Sequence, residues 1–177
     1  FIGKAVRSEA RRIEQETGRP LTDEWMTAFY ARRNARLAAE LQPISGAVDT
    51  VRAIHALLGG RIACASGADR AKVEMQLAQV GMKPYFGPRV FSGHELPRSK
   101  PAPDVYLAAA ASLGVAPGRC LVVEDTTVGV RAGVDAGATV VGYCPGEGAV
   151  NTARQLREAG VVHILSHMSQ LPGWLAG

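Results

Sequence analysis

The sequence has little that would place it in a membrane, in a disulfide framework or on nucleic acid. No apolar run approaches the roughly 20 residues that a bilayer-spanning helix needs, so no membrane partner is expected. No signal-peptide pattern opens the chain, which begins with Phe1. There are only three cysteines, Cys64, Cys120 and Cys144. Their odd number and their lack of metal-ligand spacing argue for reduced, buried thiols and a cytoplasmic setting. Aromatic residues make up 6% of the chain and none interleaves with a basic run, which argues against a nucleic-acid groove. Internal repeats and low-complexity stretches are also absent.

What is present fits an α/β enzyme core. The 177 residues are 47% apolar, enough for one core and a small additional part. The net charge of +4 is concentrated at the front: residues 1–36 hold eight Lys and Arg against five Asp and Glu. With no nucleic-acid groove to explain it, that excess points to a small anionic substrate. From about residue 47 onward, short β-branched runs alternate with helical patterns, which predicts right-handed βαβ units and a parallel sheet. Before it, residues 1–17 and a segment from Thr22 to about Glu40 read as two helices, with Met26, Tyr30, Leu37 and Leu41 as the apolar face of the second. Gln42-Pro43-Ile44-Ser45-Gly46 reads as the linker, placing a helical unit over 1–43 and the α/β core over 44–177.

Three strand or loop ends carry the chemistry. Cys120 to Val123 reads as a buried strand that ends in Glu124-Asp125 before a helix. Two carboxylates at the C-terminal end of a parallel strand suit magnesium; a solvated strand end with Asp125 or Thr126 as helix N-cap accounts for them equally well. Arg61 to Ala65 is a second strand, ending in Ser66-Gly67. A hydroxyl donor and a glycine amide ahead of a helix capped by Asp69 make a natural phosphate cradle. The third is Ser99-Lys100-Pro101-Ala102-Pro103-Asp104, where two prolines stiffen the loop that carries Lys100 and Asp104 is expected to cap the next helix.

Taken in order, Ala65-Ser66-Gly67, Ser99-Lys100-Pro101-Ala102-Pro103-Asp104 and Val123-Glu124-Asp125 resemble the second, third and fourth motifs of the haloacid dehalogenase superfamily. The similarity is greatest to its phosphoglycolate phosphatase, sugar-phosphate phosphatase and β-phosphoglucomutase branch. Ser99 stands where that family usually has glycine. The resemblance implies a three-layer, Rossmann-like α/β core with a helical cap, and a magnesium-dependent phosphatase of small phosphate esters acting through an aspartyl-phosphate. It gives Ser66 and Lys100 catalytic supporting roles, Ser66 and Gly67 the phosphoryl group, and Glu124 and Asp125 the Mg2+. Lys4, Arg7, Arg32 and Arg36 on the cap helices become candidates for selecting an anionic leaving group.

The family's first motif, an Asp-x-Asp that supplies the nucleophile and the general acid/base, has no counterpart in these residues. The expectation is therefore a piece that starts inside the cap and lacks a mid-sheet strand, on the order of 40 residues of loop, strand and helix. As it stands it is expected to be inactive, and the intact enzyme to be a monomer. A phosphomutase of the same fold and a non-catalytic metal-binding α/β domain stay open beside the phosphatase.

Overall fold

The computed structural model describes residues 10–176. Helix α1 (Ala10–Thr17) and helix α2 (Asp23–Glu40) come first. Thr22 accepts from the Trp25 amide and starts α2, as its position before Asp23 and Glu24 predicts. Gly46, at φ 73°, turns the chain into α3 (Ala47–Leu57). The remainder alternates: β1 (Cys64–Ser66), α4 (Arg70–Gln79), α5 (Lys83–Phe86), β2 (Val90–Ser92), α6 (Asp104–Ser112), β3 (Leu121–Glu124), α7 (Thr127–Asp135), β4 (Thr139–Tyr143), α8 (Ala153–Ala159), β5 (His163–Leu165) and α9 (Leu171–Ala176). Pro84-Tyr85-Phe86 forms the single helical turn α5 rather than an open turn; Pro84 lies in its first turn, where the missing N–H costs nothing.

All strand pairs are parallel, in two groups. β1 pairs with β2, and β4 lies between β3 and β5. Side chains alternate across the second group as the pleat requires. Val122 and Val140 face a cluster with Val105, Val130 and Leu156, whereas Val141 and Leu165 face Ile54 and Leu171. Helices therefore cover both faces, giving the three-layer α/β arrangement expected. A third cluster, Val73, Phe86 and Val90, seats α4 and α5 against β2.

Among the described residues no ladder joins β1 to β3. Between them lies a cleft of about 570 Å³, lined by Ala63 and Ala65 on one side and Leu121 and Val123 on the other, with Ile54 and Ala109 among the helix residues that wall it. The sheet is thus split into two groups by an apolar slot.

Two local expectations change, and one helix starts at the second of two adjacent residues able to cap it. Asp104 does not cap α6; Pro103 occupies that position, and the Asp104 carboxylate takes Arg98 at 2.9 Å instead. Thr152, not Asn151, caps α8, because Gln155 closes a reciprocal capping box with it. The Asn151 side chain accepts from the Thr127 amide at 3.1 Å, tying the α8 entrance to α7. The cysteines are free thiols, as expected, but all three are partly exposed rather than fully buried.

Candidate active site

Parallel strands bring their C-terminal ends to one edge of a sheet, so Ser66 at the end of β1 and Glu124 at the end of β3 face the same side. The split in the sheet separates them, and Lys100 crosses that separation. Its ammonium donates to the Ala65 carbonyl at 3.4 Å, to the Tyr106 hydroxyl at 2.8 Å and to Glu124 Oε1. Lys100 and Glu124 are each only 9% exposed, so this is a buried ion pair. Its position follows from the loop: Lys100 immediately precedes Pro101-Ala102-Pro103, and the first turn of α6 then directs Tyr106 back over the same ammonium.

Glu124 is fully occupied. Oε1 accepts from Lys100 and from the Tyr106 hydroxyl, the latter at 2.5 Å. Oε2 accepts from the Thr126 hydroxyl at 3.0 Å and from the Asp125 and Thr126 amides at 3.2 and 3.3 Å. Burial alone pushes this carboxyl up, but the Lys100 ammonium and these hydrogen bonds outweigh it and hold Glu124 below the ordinary carboxylate range. The same burial and the Glu124 charge push the Tyr106 phenol far up, so it stays a donor. Asp125 differs: burial, then repulsion from Glu124, raises its carboxyl. No side chain among the described residues donates to it, so its oxygens are the ones with bonding capacity to spare.

Thr126 caps α7 by accepting from the Gly129 amide at 3.0 Å, which settles the choice of N-cap at this strand end. On the other side of the site the Ser66 hydroxyl accepts from the Ala68 amide at 3.1 Å, and buried Ser92 donates to the Ala68 carbonyl at 2.7 Å. The Ser66-Gly67-Ala68 turn is thereby fixed. Asp69 caps α4 through the Lys72 amide. Lys100 thus links the end of β1, at the residue before Ser66, to Glu124 at the end of β3, with Asp125 next in the chain.

The cations of the first two helices are placed as follows. Lys4 and Arg7 lie outside the described residues. Arg32 is exposed, and Arg36 pairs with Glu40 on its own helix at 2.9 Å. Both belong to the solvated face of α2. Arg33 is the cation on the packed face, 3.0 Å from Asp69. It occupies the stripe of Met26, Tyr30 and Leu37, spacings that could have singled it out. Tyr106 carries no sequence signal of its role beyond its place six residues after Lys100.

Among the described residues no group of three or more His, Cys, Asp or Glu side chains gathers as a metal cage. A magnesium ion does not require one: it commonly keeps several waters and takes one or two carboxylates plus substrate phosphate oxygens. Asp125, next to Glu124 and within reach of the Lys100 charge, fits that pattern. No described helix is long and apolar enough to cross a membrane.

Comparisons with known proteins give the family. The chain is 30% identical over 165 residues to a 6-phosphogluconate phosphatase of Escherichia coli K12, covering 90% of this chain and 69% of that protein. A fructose-1-phosphate phosphatase of the same organism is 38% identical over 95 residues, covering 53% of this chain and 48% of its own length. The chain thus spans about half the length of that second relative. A crystal structure of a haloacid dehalogenase family hydrolase from Deinococcus radiodurans R1, with bound phosphate and sodium, superposes with a TM-score of 0.76 at 29% identity, over 99% of this chain and 77% of that one. A family model described as haloacid dehalogenase-like hydrolase matches residues 1–137. With the strand ends, the buried lysine and the paired acids in that family's order, the chain belongs to the haloacid dehalogenase-like hydrolases.

Proposed function

We propose that this protein supplies the phosphate-binding and charge-neutralising half of a phosphatase site for small phosphate esters, sugar phosphates or phosphoglycolate among them. The observation that carries the reading is Lys100, a buried ammonium that joins the ends of β1 and β3. Ser66 and the Gly67 amide hold a phosphoryl oxygen. Lys100 offsets negative charge between that oxygen and the acids, and Tyr106 and Thr126 keep Glu124 in place behind Asp125. Asp125 would hold Mg2+, with the fully bonded Glu124 adding negative charge behind it, and the ion would neutralise phosphoryl charge that otherwise repels a carboxylate nucleophile. The aspartyl-phosphate route also needs a carboxylate nucleophile, a role that none of these groups fills. The names of the two Escherichia coli relatives support sugar phosphates as the substrate class.

Titrating inorganic phosphate calorimetrically with and without Mg2+ tests this. Phosphate is expected to bind more tightly with Mg2+, Asp125→Asn to remove the Mg2+ dependence and Ser66→Ala to weaken phosphate binding in both conditions. Phosphate binding that ignores both Mg2+ and the Ser66 substitution would overturn the reading.

A further inference from the structure

Helix α2 meets the α/β core through polar contacts at two levels of α4. At the C-terminal end of α4, the Gln79 amide donates to the Leu37 and Ala38 carbonyls at 3.2 and 3.0 Å. At its N-terminal end, Arg33 donates to Asp69 at 3.0 Å. The two helices therefore run in the same sense. Because α4 leads away from the C-terminal end of β1, the part of α2 before Arg33 lies toward the Ser66 side of Asp69. Arg33 thus sits where the cap helix passes the rim of the phosphate cradle.

The Arg33 guanidinium is built in rather than hanging free. It lies 4.7 Å from the Tyr30 ring centroid, its Nε and Nη2 donate to the Asn34 side chain at 3.0 and 2.8 Å, and its side chain is 19% exposed. Facing it from the first turn of α4 is Lys72, half-buried and forming no ion pair among the described residues. Burial, then the nearness of Arg33, lowers its ammonium below the ordinary lysine range. Asp69 is the one acid shared by these two cations; its carboxyl is held below the usual range by the Lys72 amide and Arg33, against burial. Nearby charges on α4 are already paired: Arg70 with Glu95 at 2.6 Å and Lys83 with Glu74 at 3.0 Å. Among the described residues, two cations with one acid leave one positive charge uncompensated, in a half-buried place at the first turn of α4, whose cap lies three residues beyond Ser66.

We propose that Arg33 and Lys72 together bind a second anionic group on the substrate, a carboxylate or phosphate on the leaving part, and so select phosphate esters that carry such a second anionic group over those with a neutral leaving part. This rests on the phosphatase reading, since the scissile phosphate is taken to lie at Ser66. A planar guanidinium with a tethered orientation suits a bidentate anion, and a neighbouring ammonium adds a second charge-assisted donor. Asp69 holds the pair apart from solvent and tempers its charge while the site is empty of anion.

The probes are 6-phosphogluconate and glucose 6-phosphate, which share a phosphate end but differ in a carboxylate at the other, each titrated calorimetrically into the same protein, with inorganic phosphate alongside. The expected result is about tenfold tighter binding of 6-phosphogluconate, the worth of one charge-assisted contact. Arg33→Gln and Lys72→Gln should each erase most of that preference, and Arg33→Lys should keep part of it. Asp69→Asn should increase the preference, because asparagine still caps α4 while one negative charge is gone. A purely structural latch between α2 and α4 predicts the reverse: Asp69→Asn and Arg33→Gln would then behave alike. Equal affinities for the two esters, or a preference that Arg33→Gln leaves intact, would overturn this proposal and leave the phosphatase reading standing. Failure of inorganic phosphate and both esters to bind would overturn both.

Discussion

The Gly129 α-carbon lies directly against the Glu124 carboxylate, so closely that a methyl group added to it would overlap all three carboxylate atoms. The first turn of α7 is thereby pressed onto the end of β3, and the Thr126 cap and the Glu124 hydrogen bonds depend on that closeness. In an exposed helix, glycine to alanine stabilises by up to about 1 kcal/mol. Here the sign should invert: Gly129→Ala should destabilise by about 1–3 kcal/mol, as overpacking does. Urea unfolding measures it, and an unchanged or raised midpoint would show that Glu124 has room to move aside.

Lys100 and Glu124 should be strongly coupled. Removing one partner of a buried ion pair leaves the other charge without compensation and costs about 3–5 kcal/mol, whereas removing both together is far milder. Lys100→Met should therefore be severely destabilising, and adding Glu124→Gln should recover a large part of the loss. Strictly additive effects of the two substitutions would mean that the pair does not interact in solution.

Acid should act through Glu124 and Asp125 in opposite directions. Glu124 titrates lower in the folded protein than when unfolded, so its contribution is complete above its unfolded value and is lost as pH falls through the folded one. Asp125 titrates higher when folded, so the folded state holds its proton longer and stability falls as pH rises through that window. Asp125→Asn should accordingly raise the melting temperature near neutral pH and change it little once the carboxyl is protonated. Glu124→Gln should lower it most near neutral pH. Melting curves across the acid range, recorded with and without Mg2+, check both; the Mg2+ stabilisation should fade as Asp125 takes up its proton.

Local pattern made much of this legible. The β3 strand, the acids that end it and the helix after it follow from Leu121 to Val130, and Thr22 and Asp69 announce the helices they cap. What escaped depended on contacts distant in sequence. Lys100 reads as a loop residue, and nothing nearby shows that Tyr106 and Glu124 bury it. Arg32, Arg33 and Arg36 look alike as a basic run, yet only the packing of α2 on α4 turns Arg33 inward. Asp104 and Asn151 have capping chemistry, but Arg98 and the Thr127 amide compete for their side chains and win. The apolar slot between β1 and β3 lies between strands far apart in sequence, so no local pattern places it, and the expectation of a missing mid-sheet strand rests on the family resemblance alone.

These 177 residues alone should hydrolyse no phosphate ester at a rate above background. Ser66 is the one hydroxyl placed for attack, but it needs a base, and each histidine is engaged elsewhere or exposed. His55 packs on Tyr85, His163 on Trp174, and His167 bonds Ser45 and Ser169, while His94 is exposed. Lys100 is committed to Glu124 and Tyr106, and its role is to neutralise charge rather than to attack phosphorus. Glu124 has no free lone pair, and Asp125 is the carboxylate suited to a cation. No Asp-x-Asp occurs to supply another. Supporting groups do not replace a covalent nucleophile, whose loss costs many powers of ten. Purified protein assayed with p-nitrophenyl phosphate and Mg2+ should therefore match a Ser66→Ala, Asp125→Asn control. Turnover that the wild type shows and the Asp125→Asn variant loses would belong to this chain, and would place a nucleophile among residues assigned here to positioning and charge.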